Sequence, residues 1–283
     1  MADAVVNGVR LSYEVTGDGD PVLLVCGLSQ PALTWQLGIA PALVDAGFQV
    51  VTFDNRGVAP SDAPPAPYTI DDMTADTAAL IEHLGIGPVH VVGYSLGSWI
   101  AEVLAWQRPD LVRSAVLMGG LNRTTAWERV RYRHAVDLAV AGIELPAPAQ
   151  TIELLAYLPN VALQDDDVVS GWLAILEGSE SPWPNPGRLG QWQAARSWTE
   201  DETRTARWAD ISVPTLVLSF EHDVDSPPRH AEAAAKDIPG AQFVELEGLS
   251  HLGPLERPDL VAPVLVDFMK SAPSLSPGAP DVV

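Results

Sequence analysis

Apolar residues in the first part of the chain follow two alternating patterns, one typical of strands and one typical of amphipathic helices. Residues 9–15 place apolar side chains at every second position, as in a half-buried strand. The runs at residues 21–27, 49–54, 88–93 and 114–118 are almost continuously apolar, as in strands covered on both faces. This pattern predicts a mainly parallel sheet with helices on both faces.

Helical periodicity separates these strands. It is clearest at residues 71–84, where Thr69 and Asp72 form a candidate capping box and Gly85 stands at the usual position of a C-terminal glycine. Further helices are predicted at residues 33–46, 98–107 and 259–270, and further strands at 213–220 and 242–246. The sheet pattern is therefore present at both ends of the chain.

The strand pattern is absent between these two parts. Residues 129–141, 149–158 and 166–176 are predicted to be helices, and Pro-rich loops such as residues 181–187 separate them. An insertion this long far exceeds the connections of about 2–6 residues that are usual in α/β units, so we expect a cap over a site. The predicted division is a core at 1–121 and 209–270, a helical cap at 122–208 and a flexible tail at 271–283.

Charge and composition exclude several classes of function. The chain has 16 basic and 37 acidic residues, a net charge of −21, which disfavours nucleic acids and anionic membrane surfaces as partners. One cysteine, Cys26, excludes an intrachain disulfide. Neither a signal peptide nor an apolar run of about 18 residues is present, so we expect a cytoplasmic protein. The pattern does not distinguish a monomer from a homodimer.

A candidate nucleophile, Ser95, lies in the pentapeptide Gly93-Tyr94-Ser95-Leu96-Gly97. Such a pentapeptide occurs readily by chance, but this one lies between a predicted buried strand and a predicted helix, the setting of a nucleophile elbow. There the serine oxygen stands clear of the sheet, and the helix N-terminus stabilises developing negative charge. The alternative is an ordinary serine N-cap.

A serine nucleophile needs a base and an acid that orients the base. Among six histidines, His251 lies in a glycine-bounded loop after the last predicted strand, from which it could reach the carboxyl edge of the sheet. Three acidic residues follow the strand at residues 213–220: Glu221, Asp223 and Asp225. We favour Asp223, four residues before Pro227, and keep Asp225 as the second choice. A surface histidine and a solvated acidic loop are the alternatives.

These residues resemble the α/β-hydrolase superfamily, in the branch of esterases, lactonases and cofactor-free haloperoxidase-like enzymes. The resemblance covers nearly the whole chain and rests on four segments: residues 25–28, residues 53–57, residues 93–97, and the pair formed by residues 223–227 and 250–251. It implies a mostly parallel, eight-stranded sheet with an inserted helical cap. It also implies an oxyanion hole formed by the amides of Leu28 and Leu96, and neither a metal nor a cofactor.

Some positions depart from the family or exclude relatives. Cys26 stands where the family usually has a histidine, and we expect it to pack rather than react. Asp54 and Arg56 are expected to form a structural ion pair. Haloalkane dehalogenases and epoxide hydrolases have aspartate at the nucleophile position, so Ser95 argues against both.

Tryptophans predict the chemistry of the substrate. There are nine in the chain, and six lie in the insertion: Trp127, Trp172, Trp183, Trp192, Trp198 and Trp208. They suit either a hydrophobic ligand pocket or the internal core of the cap. Candidate substrate-binding residues are Gln30, Trp35 and Tyr94, although a solvated loop position for Gln30 is an equal alternative.

The sequence therefore predicts a serine hydrolase that cleaves an ester, lactone or thioester of a hydrophobic small molecule through an acyl-enzyme. The first alternative is a lyase, acyl-eliminating enzyme or cyclase acting on a natural product, with the same residues as general acid and base. The second is a ligand-binding receptor on the same fold.

Overall fold

One sheet forms the centre of the molecule. The computed structural model describes residues 1–143, 145–177 and 187–273. The strands are β1 (Ala2–Val6), β2 (Val9–Thr16), β3 (Asp20–Val25), β4 (Phe48–Phe53), β5 (Val89–Tyr94), β6 (Val112–Met118), β7 (Thr215–Phe220) and β8 (Gln242–Leu246). These eight strands lie in the order β1-β2-β4-β3-β5-β6-β7-β8. Strands β3 to β8 pair in parallel, and β2 is antiparallel to both its neighbours.

Helices cover both faces of the sheet, as the sequence predicts. They are α1 (Ile39–Asp45), α2 (Ile70–Leu84), α3 (Leu96–Gln107), α4 (Ala126–Val140), α5 (Ala147–Leu155), α6 (Asp166–Glu177), α7 (Arg188–Glu200), α8 (Pro228–Ala235), α9 (Gly253–Glu256) and α10 (Pro258–Ser271). Alternate strand residues belong to two separate apolar clusters: Leu23 and Val91 pack with α2, α3 and α8, and Leu24 and Val92 pack with α1 and α10. Burial of both faces explains the continuous apolar runs in the strands.

Helix α2 begins and ends where the sequence predicts. The hydroxyl of Thr69 accepts from the Asp72 amide, and the Asp72 carboxylate accepts from the Thr69 amide, which together form the capping box. Gly85 ends the helix in the left-handed conformation, with φ of 62°. Local capping signals therefore fix this element.

Two elements of the core differ from the prediction. Strand β1 was not predicted, because Ala4, Val5 and Val6 are consecutive apolar residues and hide the period of two, although Val5 is 74% exposed. The predicted helix at residues 33–46 is divided into a 3-10 segment, Ala32–Leu37, and α1. The break falls at Gly38, where a Cβ atom would lie 2.5 Å from the ring of Pro258.

Helices follow one another between β6 and β7, and the described residues of this stretch contain no strand. We call residues 122–208 the helical insertion; its exact limits stay a prediction. Helix α7 was not predicted, most of the predicted loop at residues 181–187 lies outside the described residues, and so does the predicted tail from residue 274 onward. The insertion packs beside α3, since Tyr132, Ala195 and Trp208 join the apolar cluster on that face. None of the helices described is both long and apolar enough to cross a membrane.

Candidate active site

The turn between β5 and α3 carries Ser95 in a strained conformation. Its φ of 55° and ψ of −120° are unusual for a residue with a side chain. Strand and helix approach so closely that a Cβ atom on Gly93 would lie 2.1 Å from the carbonyl oxygen of Gly97. A Cβ on Gly97 would lie 2.2 Å from the carbonyl oxygen of Val25. Ser95 makes no side-chain capping bond, so the geometry contradicts an ordinary N-cap.

Three loops at the carboxyl edge of the sheet bring Ser95, His251 and Asp223 together, after β5, β8 and β7 respectively. The Oγ atom of Ser95 lies 3.1 Å from Nε2 of His251. The Nδ1 atom of His251 lies 2.8 Å from Oδ2 of Asp223. The other oxygen of Asp223 accepts from the amides of Asp225 and Ser226, each at 2.8 Å. This chain of hydrogen bonds can carry a proton away from the serine hydroxyl.

Asp225, the second choice for the acid, lies outside this chain. Its carboxylate accepts hydrogen bonds from three side chains of the helical insertion. They are Arg131, Trp127 at 3.2 Å and Tyr157 at 3.1 Å. The structure therefore places Asp223 against His251 and gives Asp225 a separate set of partners.

His251 is buried, at 5% exposure, beside a buried carboxylate. Burial lowers the pKa of His251, but the charge of Asp223 and its hydrogen bond outweigh this, so the net pKa is raised above its ordinary value. Two tyrosine rings lie against the imidazole: the centroid of Tyr94 is 5.3 Å away, and that of Tyr157, which is stacked, is 5.2 Å away. The Tyr94 hydroxyl also donates to the carbonyl oxygen of His251 at 2.6 Å.

The loop at residues 26–30 lies directly against Ser95, since a Cβ atom on Gly27 would be 3.2 Å from the serine Cβ. Two glutamines accept from the amides that flank Leu28 in this loop. Oε1 of Gln30 accepts from the Gly27 amide at 2.9 Å, and Oε1 of Gln191 accepts from the Ser29 amide at 2.7 Å.

Two backbone amides beside Ser95 have no protein acceptor among the residues described. Across residues 1–143, 145–177 and 187–273, the amides of Leu28 and Leu96 donate to no protein oxygen. The Leu28 amide belongs to the loop beside Ser95, and the Leu96 amide follows the serine at the first residue of α3. Both therefore remain available for an oxygen of a ligand.

Gln191 was not identified from the sequence. It lies on α7, is fully buried, and its Nε2 atom donates to the carbonyl oxygen of Arg56 at 2.8 Å. It thus joins the loops that follow β3 and β4. No short motif surrounds Gln191, so only the packing of the insertion reveals this contact.

The predicted substrate-binding residues are held within the protein. Both polar ends of the Gln30 side chain are bonded, Oε1 to Gly27 and Nε2 to Thr34 at 2.8 Å. Trp35 is 2% exposed and packs edge-on against Tyr94 in the core cluster that contains α1 and α10. Tyr94 is buried and holds the His251 backbone. Gln30 and Tyr94 thus support loops of the site and Trp35 packs in the core, while a contact of these residues with substrate stays a prediction.

The predicted ion pair between Asp54 and Arg56 is wrong. Arg56 pairs instead with the buried Asp76 of α2, at 2.5 and 2.6 Å. Asp54 accepts from the Ala32 amide at 2.7 Å, and burial raises its pKa to about 6. Cys26 is completely buried, and burial raises the pKa of its thiol, as expected of a packing residue.

Most of the described insertion tryptophans pack within the protein. Trp192 and Trp198 pack against the apolar cluster around α3, Trp208 is fully buried, and Trp127 is 54% exposed. Trp183 lies outside the described residues. Among the residues described, no group of three or more His, Cys, Asp or Glu side chains is placed to hold a metal ion.

Comparison with known proteins agrees with the fold. Residues 20–138 match the family described as alpha/beta hydrolase fold. A curated protein of Mycobacterium tuberculosis H37Rv, "Putative non-heme bromoperoxidase BpoC", is 34% identical over 267 residues, covering 93% of this chain and 98% of that protein. The crystal structure under that name matches with a TM-score of 0.86 and 33% identity, covering 93% and 97% of the two chains. The chain belongs to the α/β-hydrolase family.

Other relatives carry the names of hydrolases. Rhodomycin D methylesterase DnrP from Streptomyces peucetius is 28% identical, covering 93% of this chain and 96% of that protein. The crystal structure of the enol-lactonase from Burkholderia xenovorans LB400 matches with a TM-score of 0.78 and 26% identity, covering 95% of this chain and 100% of that one. The family thus includes both esterases and lactonases at this level of similarity.

Proposed function

We propose that this protein is a serine hydrolase that cleaves an ester, lactone or thioester of a hydrophobic small molecule. The observation that carries the proposal is the hydrogen-bond chain from Asp223 through His251 to Ser95, beside two free amides. Nucleophile, base and orienting acid are within hydrogen-bond reach, and donors for a developing oxyanion lie next to the nucleophile.

The geometry supports a two-step reaction. His251 takes the Ser95 proton at Nε2 as the serine oxygen attacks the carbonyl carbon, and the amides of Leu28 and Leu96 stabilise the oxyanion. The tetrahedral intermediate collapses, and His251 gives that proton to the leaving alcohol or thiol. Water then repeats the sequence on the acyl-enzyme and releases the carboxylic acid. Asp223 holds the imidazole in orientation and stabilises its cationic form.

The helical insertion acts as the cap of this site. Its side chains reach the loop at residues 26–30 through Gln191 and the His251 loop through Tyr157. Aromatic side chains meet where the cap packs on the core, with Trp99 of α3 against Tyr132 and Trp198. The number of aromatic side chains in the insertion supports an apolar acyl or leaving group over a charged one.

The test compares Ser95→Ala with Ser98→Ala, the same change one turn along α3. Turnover of p-nitrophenyl butyrate should fall at least about 10³-fold in Ser95→Ala and stay near that of the wild type in Ser98→Ala. A fluorophosphonate should label Ser95, located by mass spectrometry. Near-normal turnover by Ser95→Ala would refute the mechanism.

Oxygen-18 separates hydrolysis from elimination or cyclisation. In labelled water, a hydrolase incorporates one oxygen-18 atom into the carboxylate product, because water attacks the acyl-enzyme. An unlabelled product formed at the wild-type rate would support the lyase or cyclase alternative instead.

A second candidate activity follows from the name of the bromoperoxidase-like relative. Hydrogen peroxide in place of water would convert the same acyl-enzyme into a peracid and free enzyme, and the peracid would oxidise bromide. Bromination of phenol red in acetate, bromide and peroxide tests it, with Ser95→Ala as the negative control. Bromination that persists in Ser95→Ala would exclude this route.

A further inference from the structure

Side chains of the helical insertion converge on the residue two positions after the proposed catalytic acid. Arg131 comes from α4, and Tyr157 from the turn that follows α5. Both bond Oδ2 of Asp225, which lies in the core loop after β7. This meeting point lies next to the hydrogen-bond chain of the site rather than in it.

Asp225 contacts the proposed catalytic acid through its backbone and the helical insertion through its carboxylate. Its backbone amide donates to Oδ1 of Asp223 at 2.8 Å, so its main chain helps to orient the acid. Its carboxylate faces the insertion and is 4% exposed, paired with the Arg131 guanidinium. A displacement of Arg131 or Tyr157 would therefore shift the backbone of Asp225, which helps to orient Asp223.

Tyr157 continues this connection to the base. Its ring stacks on His251 with an interplanar angle of 28°, while its hydroxyl donates to Asp225 at 3.1 Å. The guanidinium of Arg131 lies 4.9 Å above the same ring. Arg131 and Asp225 thus hold Tyr157 by its face and its hydroxyl, and Tyr157 covers the imidazole.

We propose that Arg131, Asp225 and Tyr157 form a latch by which the helical insertion positions His251 for catalysis. This inference rests on the proposed function, in which His251 is the base. None of the three touches the reacting serine, so all are positioning residues. The enzyme is then most active only while the insertion is seated on the core.

The charges around His251 allow the latch to be tested through the pKa of His251. Asp223 and Asp225 favour the protonated imidazole, while Arg131 disfavours it. Tyr94 and Tyr157 are the titratable rings in contact with it. Removing the carboxylate and removing the guanidinium should therefore shift the titration of His251 in opposite directions, which a loss of packing alone would not do.

The first experiment measures the pKa of His251 by NMR of the imidazole protons, assigned with His251→Gln, and the acid limb of kcat/KM. Asp225→Asn should move both to lower pH by about half a unit or more, and Arg131→Gln should move both to higher pH by a similar amount. Asp137→Asn and Arg133→Gln are the controls, since both side chains are exposed on α4 and make the same charge changes. Neither control should shift the pKa of His251 or the acid limb of kcat/KM.

The second experiment separates the two contacts of Tyr157. Tyr157→Phe keeps the ring on His251 and loses the bond to Asp225, whereas Tyr157→Leu loses both. We expect kcat to fall about tenfold in Tyr157→Leu and less in Tyr157→Phe, with KM changed by less than about twofold. Tyr13→Leu, at a partly buried tyrosine of strand β2, should leave kcat unchanged.

The outcomes distinguish the latch from the proposed function. Equal behaviour of Tyr157→Leu and Tyr13→Leu, or shifts of the same sign in Asp225→Asn and Arg131→Gln, would overturn the latch while leaving hydrolysis intact. If the wild type neither turns over esters nor reacts with a fluorophosphonate, the proposed function fails. The NMR titration then still decides whether the three residues control the imidazole, because it needs no turnover.

Discussion

The core and the helical insertion contribute to the candidate site in different ways. The core supplies the three side chains of the hydrogen-bond chain, each from a loop at the carboxyl edge of one parallel sheet. The insertion supplies none of them, but Gln191 holds the loop beside Ser95 and Tyr157 stacks on His251. Local backbone geometry fixes the reacting atoms, and long-range packing fixes their support. The two regions should therefore respond differently to equivalent changes.

The largest difference is expected for one glycine of each region. Gly97→Ala places a Cβ atom 2.2 Å from the carbonyl oxygen of Val25 and 2.7 Å from that of Cys26, so backbone must move on both sides. We expect a loss of more than about 4 kcal/mol of unfolding free energy, or no folded protein. Urea denaturation followed by circular dichroism measures this.

Gly171→Ala is the matched change in the insertion. Gly171 lies on the exposed face of α6, with nothing within 4 Å of the added Cβ. Alanine should raise stability by about 0.5–1 kcal/mol through helix propensity. A similar loss in both variants would show that the elbow is no more constrained than an exposed helix.

This contrast also explains how much of the fold the sequence predicts. The turn at residues 93–97 can be predicted from the sequence, because close contacts within a few residues require glycine at positions 93 and 97. Strand β1 is not predicted, because a short edge strand in which Val5 is exposed lacks a clear period of two. Helix α7 is not predicted, because the residues that it contacts in α4 and the core are distant from it in the sequence.

The next largest effect is expected at Gln191, where the insertion holds the loop beside Ser95. Gln191→Leu keeps the volume but removes the oxygen that accepts from the Ser29 amide at 2.7 Å. The loop should shift and misplace the Leu28 amide, lowering kcat about 10- to 100-fold with a small change in KM. Steady-state kinetics on p-nitrophenyl esters of increasing chain length measures this.

Gln193→Ala, two residues along α7, is the control, because the buried Oε1 of Gln193 has no partner among the described residues. It should leave kcat unchanged. Equal losses in Gln191→Leu and Gln193→Ala would mean that α7 acts through general packing, not through the bond to the loop.

The candidate site shows the same limit of prediction from sequence. Ser95, Asp223 and His251 follow from motif and chain order, and the structure brings them within bonding distance. The residues that support these three cannot be predicted in the same way, because tertiary packing decides which side chains become partners. Arg56 illustrates this, since it pairs with Asp76 of α2 rather than with its neighbour Asp54. Residue type near a site does not specify which surface the side chain faces.

The last comparison concerns Glu102 of α3, at the contact between the two regions, where the effect depends on pH. Its Oε1 atom accepts from the Trp208 indole at 2.6 Å and lies 4.0 Å from the Arg204 guanidinium. Burial raises the pKa of Glu102 to about 7, although Arg204 and Trp208 oppose this. The folded protein therefore holds this proton more tightly than the unfolded chain does, and stability falls as the pH rises from about 4.5 to 7.

Glu102→Gln removes the titration and keeps an oxygen for Trp208. The unfolding free energy of the variant should match that of the wild type near pH 4.5 and exceed it by roughly 2–3 kcal/mol at pH 8. Glu247→Gln, at an exposed position after β8, should show no such trend. A difference between Glu102→Gln and the wild type that is constant with pH would mean that Arg204 keeps the carboxylate ionised throughout. The junction of insertion and core would then be an ion pair instead of a protonated acid held by an indole.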